Sequence, residues 1–164
     1  MNLSAFMAKN ALPAENVKFV LSPRFLSDEP ELDEQGRPIV LSKTEEGEPI
    51  YKMKPMAWEI KPISGAEDEA LRKACKKQVP VPGRKGQYQR ETDYDLYTGK
   101  LAVACTVWPN LNDAALQDSY KVLGAEALLK AMLTNGEYAN YVEKVQEVCG
   151  FTTTFQDEVD EAKN

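Results

Sequence analysis

Residues 92–151 read TDYDLYTGKLAVACTVWPNLNDAALQDSYKVLGAEALLKAMLTNGEYANYVEKVQEVCGF, and this stretch contains the densest apolar periodicity in the chain. A first helix is predicted to start at Thr92 and Asp93, where a hydroxyl and a carboxylate can accept hydrogen bonds from free amides. Apolar side chains then recur at helical spacing, which predicts one broad buried face and a central helix, ended by Pro109. The members of this face are Tyr94, Tyr97, Leu101, Val103, Ala104, Cys105, Val107 and Trp108.

A short helix and a longer one are predicted after the central helix. Asn112 and Asp113 can cap the short helix, and Gly124 ends it. Residues 125–133 are almost all good helix formers, and the Asn-Gly pair at 135–136 ends that helix.

The last helix is predicted to begin near Glu137 and to end at Gly150, because glycine favours a left-handed helix cap. We interpret its apolar stripe, like the one on the central helix, as core packing rather than as a ligand or cofactor site. The members of this stripe are Tyr138, Tyr141, Val142, Val145, Val148 and Cys149.

The charge of the chain is uneven along its length. The net charge is −6, with eight basic and ten acidic residues in 1–64, seven and four in 65–91, and five and twelve in 92–164. The C-terminal part is therefore acidic, and the segment before it is basic. A surface of this kind argues against general nucleic-acid affinity for the whole protein.

The chain has three cysteines and no histidine. The lack of histidine excludes Ser-His-Asp and Cys-His nucleophiles and the usual catalytic zinc ligands. Cys75, Cys105 and Cys149 are far apart at apolar helical positions, so we predict three free thiols in a reducing compartment. The N-terminus has no basic, apolar signal segment, and the longest apolar run, near 101–108, is too short to cross a bilayer. We therefore expect a cytoplasmic protein without membrane contact.

The N-terminal third is predicted to hold a short helix and a small, mostly antiparallel sheet. Asn2 can cap the helix, which presents Leu3, Phe6 and Met7 on one face. That face can pack on its own domain or dock on a partner, and packing is favoured because short isolated helices are marginal in water. Residues 27–38 are acidic, but their carboxylates lack the alternating spacing that a calcium-binding loop requires. We therefore predict a solvated loop here. Strands are predicted at residues 17–21, continuing irregularly past Pro23 to 25–26, and at 39–41, 50–53 and 57–63.

A further helix is predicted directly after this sheet. Ser64 and Glu67 have the spacing of a capping box, and the prolines at 80 and 82 end the helix near Val79. Its apolar stripe consists of Ala70, Leu71, Ala74 and Cys75.

Residues 72–90 carry seven basic residues and no acidic one. Their turn, GRKG at 83–86, superficially matches the loop by which KH domains clamp backbone phosphates. The context differs, because KH loops join two helices directly whereas two prolines precede this turn. We therefore favour a solvated loop, or an electrostatic contact with an acidic protein, over nucleic-acid binding.

Together these elements predict an α+β fold, in which a small N-terminal sheet is followed by a bundle of four to five helices. We expect residues 1–63 to form the short helix and sheet, and residues 64–151 to form the helical region, packed with the sheet into one compact domain. Residues 152–164 are expected to be an acidic flexible tail. No strand is expected between residues 101 and 148.

Three stretches of the chain resemble the XkdN-like tail assembly chaperones of phages and prophages of Gram-positive bacteria. The opening NLSAFM at 2–7 is similar as well, and the resemblance is weakest at 27–47 and after residue 151. The three stretches are WEIKPIS (58–64) with EDEALRKAC (67–75), DY (93–94) with LAVACTVWPNL (101–111), and LGAEALLKAML (123–133) through GEY (136–138) to Val145.

The resemblance implies a non-enzymatic protein that acts in the cytoplasm of the bacterial host. Such proteins are thought to keep the long tape measure protein soluble, to help tail tube subunits polymerise around it, and to be absent from the finished tail. The family offers no catalytic, metal-ligating or cofactor-binding residues to carry over, and no short partner-binding motif.

Candidate partner contacts therefore come from physical reasoning about the residues. Apolar and aromatic side chains near the chain ends are one set, because local opening is easiest there. Basic side chains are the other set; they would meet an acidic client or the acidic helical region of a second copy, which favours head-to-tail self-association. The first set is Leu3, Phe6, Met7, Tyr138 and Tyr141, and the second is Lys76, Lys77, Arg84 and Lys85.

Two other functions remain open. One is a structural component of the tail, which would be found in purified particles. The other is a nucleic-acid-binding phage protein that uses the basic stretch 72–90. An enzyme is disfavoured, because carboxylates, lysines and tyrosines show no recognisable catalytic arrangement.

Overall fold

A computed structural model describes residues 2–151 of the chain. A 3₁₀ helix (Leu3–Phe6) is followed by strands β1 (Val17–Phe19), β2 (Leu26–Pro30), β3 (Val40–Lys43), β4 (Pro49–Tyr51), β5 (Met53–Pro55) and β6 (Trp58–Ile60). The later elements are α1 (Gly65–Ala74), β7 (Lys76–Pro80), β8 (Tyr88–Thr92), α2 (Tyr94–Cys105), β9 (Thr106–Trp108), α3 (Ala114–Ser119), α4 (Ala125–Met132) and α5 (Asn135–Val148). The predicted α+β class is confirmed, with strands mostly N-terminal and helices mostly C-terminal.

The strands are distributed over several small sheets rather than one. Strand β6 lies between β1 and β9 in the largest sheet, so β1 is the edge strand that the sequence predicts. The pairs β2–β5, β3–β4 and β7–β8 are antiparallel two-stranded ladders. Short ladders of this kind have little apolar area to bury, so they leave much of their surface to solvent.

The chain divides into two compact units. One contains the residues up to Val17 together with those from Glu59 onwards, and the other is Lys18–Trp58. In the second unit, Phe25 and Trp58 pack with their ring centroids 5.9 Å apart, and Trp58 is buried. This ring contact is an apolar centre for a unit that consists mostly of hairpins.

The unit that contains the residues from Glu59 onwards has a helical core, and helix α2 supplies much of it, as a central helix should. Its Asp93 N-cap accepts a hydrogen bond from the Leu96 amide, which lowers the pKa of that carboxyl. The predicted stripe is correct in its middle, but Tyr94 and Trp108 at its two ends are exposed. The buried apolar residues of the unit are Ile60, Cys75, Tyr97, Leu101, Ala102, Cys105, Leu111, Leu128, Leu129, Met132, Leu133, Tyr141 and Val145.

The prediction that residues 101–148 contain no strand is wrong, because β9 follows α2 without a break. The Thr106 hydroxyl donates to the Ala102 carbonyl at 2.6 Å, which closes the last turn of α2. The chain then pairs antiparallel with β6, with Thr106 opposite Ile60. The helix therefore ends at Cys105 rather than at Trp108, because β6 offers backbone partners that the local sequence does not reveal.

Helix α1 begins as predicted and ends earlier. Ser64 Oγ accepts from the Glu67 amide at 3.2 Å and Glu67 accepts from the Ser64 amide at 2.7 Å, which confirms the capping box. The predicted extension to Val79 is wrong, since the helix stops at Ala74 and β7 pairs residue for residue with β8. Five consecutive cross-strand pairs replace the hydrogen bonds that a longer helix would have made.

The predicted solvated loop at residues 27–38 is also wrong over its first part, which belongs to β2. Strand β2 pairs with β5, and the acidic side chains beside it meet lysines. Lys54 lies 3.1 Å from Glu29, and Lys52 lies 2.8 Å from Glu31. These cross-strand ion pairs offset the charge that made the stretch look like a loop.

Helix α5 begins two residues before the predicted start. Thr134 is its N-cap and forms a second capping box with Glu137. Asn135 and Gly136 therefore lie in the first turn of α5 instead of in a break between two helices. The predicted cap at Gly150 is confirmed, with φ at 83° and its amide bonded to the Glu147 carbonyl at 3.0 Å.

All three cysteines are free, as predicted. Cys75 and Cys105 are buried, and Cys149 is half-buried. The sulfurs of Cys105 and Cys149 lie 3.5 Å apart, and this hydrogen bond lowers the pKa of Cys149. Burial raises the pKa of Cys75.

Native protein should therefore react at Cys149 first when treated with iodoacetamide, because that thiol combines partial exposure with a lowered pKa. Its alkylation rate should rise at a lower pH than that of an ordinary thiol. Mass spectrometry of timed, non-reduced samples measures the order of modification. After denaturation all three cysteines should react; a count below three, or equal native rates at Cys75 and Cys149, would contradict this.

Candidate partner-binding surfaces

The N-terminal segment exposes the apolar side chains that the sequence places on one helix face. Phe6 is 82% exposed, and Leu3 and Met7 also lie largely in solvent. The expectation that this face packs on its own domain is therefore wrong. Leu12, which the sequence analysis did not select, is 92% exposed and extends the apolar surface.

This segment keeps a defined shape although its side chains are exposed. The side-chain oxygen Oδ1 of Asn2 accepts a hydrogen bond from the Ser4 amide at 2.9 Å, as a helix N-cap should. Asn10 closes the segment by donating to the Ser4 carbonyl at 2.6 Å and to the Ser4 hydroxyl at 3.0 Å. Phe6 and Met7 are thus presented on a preformed turn, which lowers the ordering entropy lost on binding.

The basic stretch forms a β-hairpin with its charges in two different places. Arg84 and Lys85 lie at the tip, where Gly83 and Gly86 adopt left-handed φ angles of 73° and 81°. The turn is closed by the Val81 amide, which donates to the Gln87 carbonyl at 3.0 Å. The two tip cations are exposed, while the remaining candidate lysines lie at the base.

Lys76 and Lys77 contact polar side chains at the base of the hairpin. Lys76 donates to the Thr92 hydroxyl at 2.8 Å, and Lys77 lies 3.5 Å from Asp93. Both lysines line a cleft that is also lined by Glu91, Asp93 and Asp95. The four predicted cations therefore do not form one uniformly basic patch, and the tip carries the available positive charge.

The two tyrosines of α5 have different environments. Tyr141 is fully buried, and its hydroxyl lies 2.5 Å from the Thr106 hydroxyl. Because Thr106 uses its hydrogen for Ala102, Tyr141 is the donor in this bond. The side chain of Tyr141 is therefore part of the core and offers no surface to a partner in this structure.

Tyr138 is half-buried and lines a shallow groove with Lys130, Leu133 and Asn135. The Lys130 ammonium lies 5.9 Å from the centre of its ring, within the range of a cation–π contact. Burial raises the pKa of Tyr138, whose hydroxyl has no hydrogen-bond partner among the described residues. Tyr138 lines the groove and stays a candidate contact.

The hairpin formed by β3 and β4 is a candidate surface that sequence reasoning missed. Its strands were predicted as part of a sheet, yet every position in both is exposed. Four apolar side chains therefore face solvent: Val40, Leu41, Ile50 and Tyr51. Consecutive apolar residues at 40–41, without the alternation of a half-buried strand, were the available signal.

Within residues 2–151, no group of three or more cysteine, aspartate or glutamate side chains could hold a metal ion. The helices in the same part of the chain are too short or too polar to span a membrane.

Comparison with known proteins shows the family to which the chain belongs. Residues 40–163 match the family model of the phage XkdN-like tail assembly chaperone protein. The chain is 28% identical to the phage-like element PBSX protein XkdN of Bacillus subtilis (strain 168), over 99% of this chain and 94% of that protein. It is 29% identical to the uncharacterized protein YqbN of the same organism, over 99% and 93%.

The chain therefore belongs to the XkdN-like tail assembly chaperone family, which is not an enzyme class. A crystal structure of the protein YqbN has the same fold, with a TM-score of 0.63 at 24% identity over 92% of this chain and 98% of that one.

The two tyrosines of α5 should respond oppositely to loss of their hydroxyls. Tyr141→Phe leaves Thr106 without its donor and should lower the free energy of unfolding by about 1 kcal/mol. Tyr138→Phe removes a buried hydroxyl that lacks a partner within residues 2–151, so it should be neutral or slightly stabilising. Urea unfolding of both variants measures the difference, and equal destabilisation would contradict these assignments.

Proposed function

We propose that this protein binds the tape measure protein of its phage tail and keeps it soluble while tail tube subunits polymerise around it. It acts in the host cytoplasm, uses no catalytic residues, and leaves before the tail is complete. The observation that carries this proposal is the preformed, solvent-exposed apolar segment at residues 3–12, in a chain of the tail assembly chaperone family.

The client that a tail chaperone must protect is expected to be a long helix-former. Its apolar stripes lack partners until the tube surrounds them, so it should aggregate when it is made without them. A chaperone must cover such stripes reversibly, which favours small apolar contacts over a deep, rigid pocket.

The N-terminal segment meets this requirement. Phe6 and Met7 combine an aromatic ring with a flexible thioether, and such side chains adapt to different apolar partners. The Asn2 and Asn10 hydrogen bonds hold them in place before the client arrives. The acidic C-terminal part of the chain supplies charge that keeps a complex in solution.

Co-expression with tape measure fragments tests the proposal. Intact protein should keep the fragments in the soluble fraction, whereas Phe6→Ser with Met7→Ser should reduce that effect at unchanged thermal stability. The matched control replaces two exposed apolar residues elsewhere, Val20→Ser with Leu123→Ser, and should behave like the wild type.

Three outcomes discriminate between the ideas. Tape measure fragments that stay insoluble in the presence of the intact protein would contradict the chaperone function. A fully active Phe6 and Met7 variant would move the binding site away from the N-terminal segment. Finding the protein in purified particles would instead favour a structural component of the tail.

A further inference from the structure

Two hairpins of this chain are exposed on both of their faces. The β3–β4 hairpin is exposed at every strand position, and the β7–β8 hairpin at all but Val79 and Thr92. A two-stranded hairpin by itself buries too little apolar area to be stable in water. Each hairpin therefore has a surface that a partner can cover with a gain in stability.

The β3–β4 hairpin carries negative charge at its turn. The Thr44 amide donates to the Glu48 carbonyl at 2.8 Å and the Gly47 amide donates to the Thr44 carbonyl at 2.9 Å, so the turn is closed. It holds Glu45, Glu46 and Glu48 within four residues. Among residues 2–151 these three carboxylates take part in no ion pair.

The β7–β8 hairpin carries positive charge at its tip and along one face. Because Tyr88 and Arg90 are two residues apart on one strand, they share a face, and Tyr88 is 64% exposed. Arg84 and Lys85 continue the charge at the tip. In the described part of the chain, these three cations form no ion pair, in contrast to Lys77.

The acidic helical region is a weaker partner for this hairpin than the sequence suggested. Several of its carboxylates are already engaged by cations of the same chain. Asp93 is paired with Lys77, Glu126 with Lys100 and Glu147 with Lys144. The glutamates of the β3–β4 turn have no such internal partner in residues 2–151, and exposed apolar side chains lie beside them.

We propose that the β3–β4 hairpin of one copy docks on the β7–β8 hairpin of a second copy. The turn glutamates face Arg84, Lys85 and Arg90, and the face of the hairpin that carries the paired residues Val40 and Tyr51 covers Tyr88. The two surfaces differ, so each copy offers one of each and copies join head to tail. Two β3–β4 hairpins would not pair with each other, because like charges would meet.

A charge-swap experiment on the full chain tests this contact. Sedimentation velocity at about 50 mM salt should show concentration-dependent association that weakens as salt rises. Reversal of either surface, by E45K with E46K or by R84E with K85E, should weaken association about tenfold or more. Circular dichroism and thermal unfolding check that both variants stay folded.

Restoration distinguishes this contact from a general charge effect. An equimolar mixture of the two variants pairs each reversed surface with its complement, so association should return. The fourfold reversal in one chain should associate like the wild type.

Two charge-matched controls change exposed residues outside both hairpins. E15K with E143K and K9E with K121E should leave association unchanged.

Three results would overturn the proposal: a wild-type chain that stays monomeric up to about 200 µM at low salt, association unchanged by either reversal, or a mixture that fails to recover. None of them bears on the proposed function, because no client is present in the experiment.

Discussion

The structure depends on the junction at Thr106, where α2 ends and β9 begins. The Thr106 hydroxyl donates to Ala102 in the last turn of α2 and accepts from Tyr141 in the middle of α5. Its backbone lies opposite Ile60 in β6. One half-buried residue thus ties the central helix, the last helix and the largest sheet together, where partly buried hydrogen bonds are costly to lose.

A second set of contacts joins α1 to the central helix α2. The Tyr97 hydroxyl donates to Asp68, which also accepts from Arg72 at 2.8 Å, and the Arg72 guanidinium lies over the Tyr97 ring. With the core gathered around these contacts, the N-terminal segment and the hairpins keep their apolar side chains in solvent. Surfaces of this kind are what an assembly chaperone needs, because its contacts must form and release.

The candidate surfaces could be predicted only in part from the sequence. Phe6 and Met7 were selected correctly as an apolar face, but the sequence favoured packing and the structure leaves them exposed. Tyr141 carried the same helical signal as Tyr138, and only the position of Thr106 makes it a core residue. Periodicity shows that side chains share a face, and it does not show what covers that face.

The sequence by itself determined the α+β class, the capping box of α1, the glycine cap and the free thiols, since each depends on residues close in the chain or on composition. Tertiary structure decided where helices give way to strands. Lys76–Pro80 and Thr106–Trp108 become strands because Tyr88–Thr92 and Trp58–Ile60 supply backbone partners from elsewhere in the chain. Local propensity differs by only about 1 kcal/mol per residue, so a complete ladder of hydrogen bonds overrides it.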